Sequence, residues 1–220
     1  IKNIQYDGVK DFAPVAGIAG IPHMLVTKKG LAAANVRDLV ALAKAQPGKL
    51  SYGSTGNGSA SHLAAELFKT RSGTDIVHIP FRGAAPMTTE LLAGRLDLAF
   101  ATLPSVISQI ESGELHALAV ASAKRAARLP DVPTLAEAGV TGVEADAWFA
   151  LFAPAKTPQP AIDRLYKSAT AALSQPAVAT AFAAQGMTVA VRQPPEIAAW
   201  LPGEVEKWAA VIKAANVTVD

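Results

Sequence analysis

The sequence predicts an α/β fold, on three observations. From about residue 13 to residue 122, short apolar runs rich in β-branched residues alternate with stretches of helical period. Glycine, proline and serine punctuate the junctions between them. Half of the 220 residues are apolar and 17% are charged, which gives enough core-forming side chains for a folded unit and too little charge for a disordered tail. Alternation of this kind implies mostly parallel strands joined by crossover helices.

Taken in order, strands are expected at 15–19 and 23–28, a helix at 36–46 and a strand at 50–53. The next helix, 59–71, is the best marked. Ala60, Leu63, Ala64, Leu67 and Phe68 recur at i, i+3, i+4, i+7 and i+8 as one buried stripe, with Asn57 or Ser59 as N-cap. A strand at 76–80 leads into a helix at 85–93, with Pro86 in the first turn and Gly94 past the end. A strand at 96–100, a helix at 104–111 and a strand at 116–121 follow. The proline- and glycine-punctuated stretch 128–144 is a connection, and "ADAWFALFAPA" (145–155) is an aromatic strand ending in proline. Helices are expected at 159–174, 176–184 and 195–214, with a break or sharp kink at Pro202-Gly203 and a return strand in "MTVAV" (187–191). The middle of the chain reads as one lobe and the two ends as parts of another.

Composition excludes several classes. A net charge of +2 with scattered basic residues, clustered only in "AKRAARL" (123–129), argues against nucleic acid as a partner. With no cysteine there is no disulfide framework and no thiolate metal or redox site, which suits cytoplasm or periplasm. No H-x-x-x-H or H-E-x-x-H spacing offers a metal site, and no cofactor is expected. No run reaches the roughly eighteen apolar residues of a membrane span. The opening "IKNIQYDGVKDF" lacks the pattern of a signal peptide and reads as the middle of a longer chain.

The stretch "SYGSTGNGSASHLAAELF" (51–68) is the chemical centre of the sequence. Its glycines at 53, 56 and 58 match neither a P-loop, which needs a following lysine, nor a dinucleotide fingerprint, whose spacing is reversed here. A nucleophile elbow needs serine between two glycines at G-x-S-x-G, and "GSTG" is one residue short. Ser61 and His62 are adjacent on a helix and cannot pair. A hydrolase or transferase using Ser54 or Ser59 with His62 or His78 is the enzymatic alternative. His23, His78 and His116 fall in or beside strands and read first as structural.

The favoured chemistry is the holding of an anion. Gly53, Gly56 and Gly58 let the backbone turn its N–H groups outward, and Ser54, Thr55, Asn57, Ser59 and Ser61 add neutral donors at a helix N-terminus. Each such bond to a carboxylate is worth about 1.5–3 kcal/mol. Micromolar binding needs about 8 kcal/mol, so a second jaw is required. "HIPFRGAAPMTTELL" (78–92) repeats the pattern, with Gly83, Ala84 and Ala85 leading into a helix. Arg82 is placed either to grip the anion bidentately or to pair with a surface acid. In open parallel sheets ligands sit beyond the carboxyl ends of the strands, where both turns would converge. Phe81, the run "FATLPS" (100–105) with Thr102 as a ligand contact, and Trp148-Phe149 are candidates for the walls, or for core.

The runs "YGSTGNGSASHLAAELF", "DIVHIPFRGAAP", "LLAGRLDLAF", "ALAVASAKRAARLPDVPTLAEAG" and "AWFALFAPAKTP" resemble, in order and in register, the substrate-binding receptors of tripartite tricarboxylate transporters, the Bug family of extracytoplasmic receptors. The resemblance implies a periplasmic-binding-protein type II fold of two α/β lobes joined by a two-strand hinge. It implies no catalysis: the receptor captures a small carboxylate in the periplasm and delivers it to membrane permease subunits, as a monomer. Residues 24–147 match the family's second lobe, and 1–23 with 148–220 the carboxyl part of the first, whose N-terminal part is not matched. In the family, loops like 54–61 and 82–86 meet the carboxylates. Family members often carry aspartate at Ala101, and alanine there favours a plain di- or tricarboxylate or an aromatic acid over an amino acid. A receptor that signals to a sensor kinase is a further alternative.

Overall fold

A computed structural model of the chain describes residues 5–218. Strands β1 (Phe12–Ile21) and β2 (His23–Lys28) are separated only by Pro22, yet they lie in different sheets. The larger sheet adds β3 (Ser51–Ser54), β4 (Val77–Pro80), β5 (Leu98–Thr102) and β6 (Leu115–Val120), in the order β4-β3-β5-β2-β6. The smaller sheet is antiparallel and places β1 between β7 (Ala147–Pro154) and β8 (Thr188–Val189).

The expectation of mostly parallel strands holds for only part of the larger sheet. β3 runs parallel to β4 and β5, but β2 is antiparallel to both β5 and β6. β2 arrives directly from the neighbouring sheet instead of through a crossover helix, and it is inserted between strands that come later in the chain. Its residues His23–Thr27 are all buried, so its burial pattern carries no record of direction.

Helices α1 (Val36–Ala45) and α2 (Ala60–Ser72) cover one face of the larger sheet, and α3 (Ala84–Leu92) and α4 (Leu103–Glu111) cover the other. The two-residue period of the strands splits the core accordingly. Leu25, Leu98 and Phe100 join Tyr52, Leu63 and Phe68 on the first face, while Met24, Val26, Ala99 and Ala101 join Met87, Leu91 and Val106 on the second. Against the smaller sheet pack α5 (Gln159–Leu173), whose Ile162 meets Val15 and Ala153, α6 (Pro176–Ala184), and α7 (Pro194–Ala214). The end of α7 returns to the larger sheet, where Val211 is buried in the first core and Trp208 packs against it.

Two local expectations change. Helix α7 runs unbroken through Pro202, so the break at Pro202-Gly203 does not occur. The proline forfeits one i→i−4 hydrogen bond, but a Gln193–Glu196 capping box starts the helix, and Ile197 and Val211 bury on either side of the proline. In α2 the buried surface is wider than one stripe. Every residue from Ser61 to Phe68 is buried, and Ala60, the first member of the expected stripe, is exposed.

Candidate functional site

The carboxyl ends of β3, β4 and β5 feed α2, α3 and α4 respectively, so three helix N-termini open on the same edge of the larger sheet. Between them lies a cavity of about 110 Å³, lined by His23, Thr55, Ala60, Ser61, Ala84, Met87, Phe100, Ala101, Thr102, Ser105 and Ala147. His23 and Ala147 stand at the two passages of the chain between the sheets, where Ile21 pairs with Ala147 in the smaller sheet. No acidic side chain, lysine or arginine lines the cavity. An anion there would meet helix-terminal amides, neutral hydroxyls and the partial positive charge of the helix ends.

The glycine-rich loop is built differently from the cradle expected of it. Its amides are largely spent inside the loop: Thr55 N–H donates to Ser61 Oγ (2.9 Å), Gly56 N–H to Ser54 Oγ (3.2 Å), Gly58 N–H to His62 Nδ1 (3.0 Å) and Ser59 N–H to the Gly56 carbonyl (3.2 Å). Gly56 and Gly58, at φ 133° and 70°, therefore supply a turn that few other residues adopt, not open donors. The open donors lie one step on. Ser59 caps α2 by accepting from His62 N–H, which leaves the first-turn amides of Ala60 and Ser61 without partners among the described residues. The same is true of Ala84 and Ala85 in α3, whose N-cap, Gly83, has no side chain to offer. The Ser61 hydroxyl ties the loop to the helix, 3.1 Å from both Thr55 Oγ1 and Ser59 Oγ.

A stack of rings supports the loop from beneath. His62 and His78 lie face to face with centroids 3.8 Å apart, and Tyr52 stacks on His78 at 4.9 Å. His78 Nε2 is 2.6 Å from Ser54 Oγ. Burial, then the neighbouring His62 ring, lowers the His78 pKa to about 4, and burial lowers that of His62. Both rings are neutral at pH 7, as His62 must be for Nδ1 to accept from Gly58. Tyr52 donates to Glu66 Oε1 (2.6 Å), which also holds Lys69 Nζ (2.7 Å), and burial followed by this carboxylate pushes the tyrosine pKa up.

Of the residues anticipated for ligand contact, Thr55, Ser61, Ala84 and Thr102 line the cavity. Ser54 is fully buried with its hydroxyl engaged beneath the loop, and Gly56, Asn57, Gly58 and Ser59 do not line the space. Arg82 is exposed and makes no hydrogen bond or ion pair with the described residues, and Gly83 and Ala85 flank the lining residue Ala84. Trp148 lines an adjoining space of about 330 Å³ that shares Ala60 and Ala147 with the smaller cavity. Phe149 is 56% exposed and lies farther out, beside Trp148 and Arg192. Phe100, Ala101 and Ser105 of the anticipated wall run 100–105 also line the cavity, whereas His23, expected to be structural, and Met87 and Ala147 carry no signal of a site in the sequence. No short motif marks them, because they meet only through the fold.

An α/β unit with helix N-termini gathered at the passage between two sheets has the architecture of the periplasmic-binding-protein type II fold. A family model described as "Tripartite tricarboxylate transporter family receptor" matches residues 1–217, and the chain belongs to that family. It is 36% identical over 213 residues to Protein BugT of Bordetella pertussis, covering 97% of this chain and 65% of BugT. The chain thus spans a little under two-thirds of that curated relative. Among solved structures it is similar to Rpa4515 of R. palustris with adipate, at 35% identity and TM-score 0.87, covering 99% of this chain and 73% of that one. MatC from Rhodopseudomonas palustris, with bound malate, matches at 28% identity and TM-score 0.84, over 96% of this chain and 73% of that one.

Proposed function

We propose that this chain is the binding part of a periplasmic receptor that captures a small organic carboxylate, a di- or tricarboxylate or an aromatic acid, and delivers it to the membrane permease of a tripartite tricarboxylate-type transporter. The observation that carries this reading is the set of unpartnered amides at Ala60, Ser61, Ala84 and Ala85 around a cavity with no charged side chain of either sign. Helix N-termini favour an anion there without a covalent partner. Residues 24–147 act as one lobe, and residues 1–23 with 148–220 as part of the other. Closure of the two about Pro22 and Ala145–Ala147 would retain the acid, provided the closed form binds it better. The relatives solved with adipate and with malate support the ligand class. The receptor would work as a monomer beside its permease; among the described residues no helix is long and apolar enough to cross a membrane.

The geometry disfavours Ser54 and His78 as a nucleophile and base. Ser54 does meet His78, but the serine is 0% exposed, so a substrate carbonyl cannot reach it. A histidine with a pKa near 4 is also a weak general base at neutral pH.

A thermal-shift screen of carboxylates that includes adipate and malate tests the proposal. A ligand at about a hundred times its Kd stabilises by about 2.7 kcal/mol. At least one acid should raise the melting temperature. If neutral sugars or cationic amino acids do so and no acid does, the proposal fails.

A further inference from the structure

His23 has a chemistry that the anion site alone does not use. The residue is 2% exposed, and it lines the cavity among the three helix N-termini. Its Nδ1 lies 2.7 Å from the carbonyl oxygen of Ala145. A carbonyl can only accept, so Nδ1 carries the proton. Burial lowers the pKa of the ring and keeps it neutral, although the bond to Ala145 opposes the shift. Nε2 is consequently a bare lone pair, with no partner among the described residues.

The ring is also fixed in place. The Ala121 N–H donates to the His23 carbonyl and the Ala145 N–H to the Ala121 carbonyl, both at 2.8 Å. His23 thereby ties the passage at Pro22 to the passage at Ala145–Ala147. The nearby hydroxyls do not serve Nε2: Thr55 pairs with Ser61, Ser105 donates to the Thr102 carbonyl, and Thr102 turns to Ser105. One rigid acceptor thus stands in a site otherwise furnished to receive an anion.

Resting on the carboxylate reading above, we propose that His23 is a specificity-determining residue whose Nε2 accepts a hydrogen bond from a hydroxyl group next to the bound carboxylate, so that the receptor selects 2-hydroxy acids over their deoxy analogues. An ionised carboxylate brings no donor of its own. An ammonium group would bring one, but no carboxylate lines the cavity to balance its charge.

Calorimetry with malate, succinate and aspartate on the complete protein tests this. Wild type should bind malate about tenfold more tightly than succinate, near the upper end for one neutral hydrogen bond, and should bind aspartate more weakly than malate. His23→Asn keeps a donor for Ala145 but removes the acceptor at Nε2, so malate and succinate should become equal. His23→Gln restores an acceptor at that depth and should restore the preference. A purely structural histidine would change stability and leave the malate-to-succinate ratio alone. If the Asn variant does not fold, the Nε2 nitrogen resonance of wild type decides: malate should move it to its hydrogen-bonded value and succinate should not. Equal binding of malate and succinate by wild type, tighter binding of aspartate, or an unchanged ratio in His23→Asn overturns the role of His23 while leaving carboxylate capture intact. Failure of all three acids to bind likewise overturns the role of His23, whereas carboxylate capture falls only if no acid of the thermal-shift screen binds.

Discussion

Ser61→Ala is the most informative single change in the loop. Ser61 is 3% exposed, and its hydroxyl accepts the Thr55 amide at 2.9 Å and meets the hydroxyls of Thr55 and Ser59 at 3.1 Å each. Alanine fits the space and the helix, so the loss is confined to hydrogen bonding. It leaves the partly buried Thr55 amide without an acceptor, a deficit of about 1–2 kcal/mol. For a chain of this size that lowers the melting temperature by about 2–8 °C. Urea unfolding should show a lower midpoint at constant slope, because the surface exposed on unfolding is unchanged. Amide exchange at Thr55 should accelerate by about 5–30-fold, the factor matching that free energy. Thr55→Val supplies the control: it removes only the hydroxyl, keeps the amide bond to Ser61, and should cost under about 1 kcal/mol. A midpoint and a Thr55 exchange rate both unchanged in Ser61→Ala would refute the role of this hydroxyl as the clasp between loop and helix.

Other consequences follow from the same geometry. A Cβ on Gly17 would lie 2.5 Å from the Ala190 carbonyl oxygen and 2.9 Å from the Arg192 amide, both backbone atoms. Gly17→Ala should therefore cost about 1–3 kcal/mol and open exchange at Gly17, whose N–H bonds the Arg192 carbonyl, measured by denaturation and hydrogen exchange. His62 and His78 have folded-state pKa values below the ordinary 6.5, that of His78 about 4, so between these values the unfolded chain binds more protons than the folded one. The His78 contribution is fully retained above pH 6.5 and is lost as pH falls toward 4, and His62 adds in the same direction. His78→Gln should flatten that part of the stability–pH curve, and an unchanged slope would contradict it. Glu66→Ala removes the acceptor of Tyr52 and the partner of Lys69, and it should destabilise by about 1–3 kcal/mol in thermal unfolding.

The sequence was most legible where local chemistry decides the structure. The apolar stripe of α2, its Ser59 cap, Pro86 inside the first turn of α3 and the aromatic run of β7 each carry their own signal, and those elements form within a residue or two of the expected positions. Strand direction is different. The buried residues of β2 satisfy a parallel or an antiparallel neighbour equally, and only its direct entry through Pro22 settles the matter. The loop shows a second limit. Serine and threonine beside glycine predict an anion cradle only if their side chains leave the amides free. Here Ser54, Ser61 and His62 fold back and take them, a local competition that composition does not reveal. The donors that remain open belong to the helix ends, and the cavity they share with His23 and Ala147 brings together residues more than a hundred positions apart.

Backbone amide shifts during titration of an isotope-labelled sample with malate probe the proposed capture most directly. The largest changes should fall on Ala60, Ser61 and Ala84, which line the cavity, and on the adjacent Ala85, all with amides unpartnered among the described residues. If malate leaves those four unmoved and shifts the basic segment Lys124–Arg128 instead, which borders a separate space of about 700 Å³, then the helix ends do not hold the ligand.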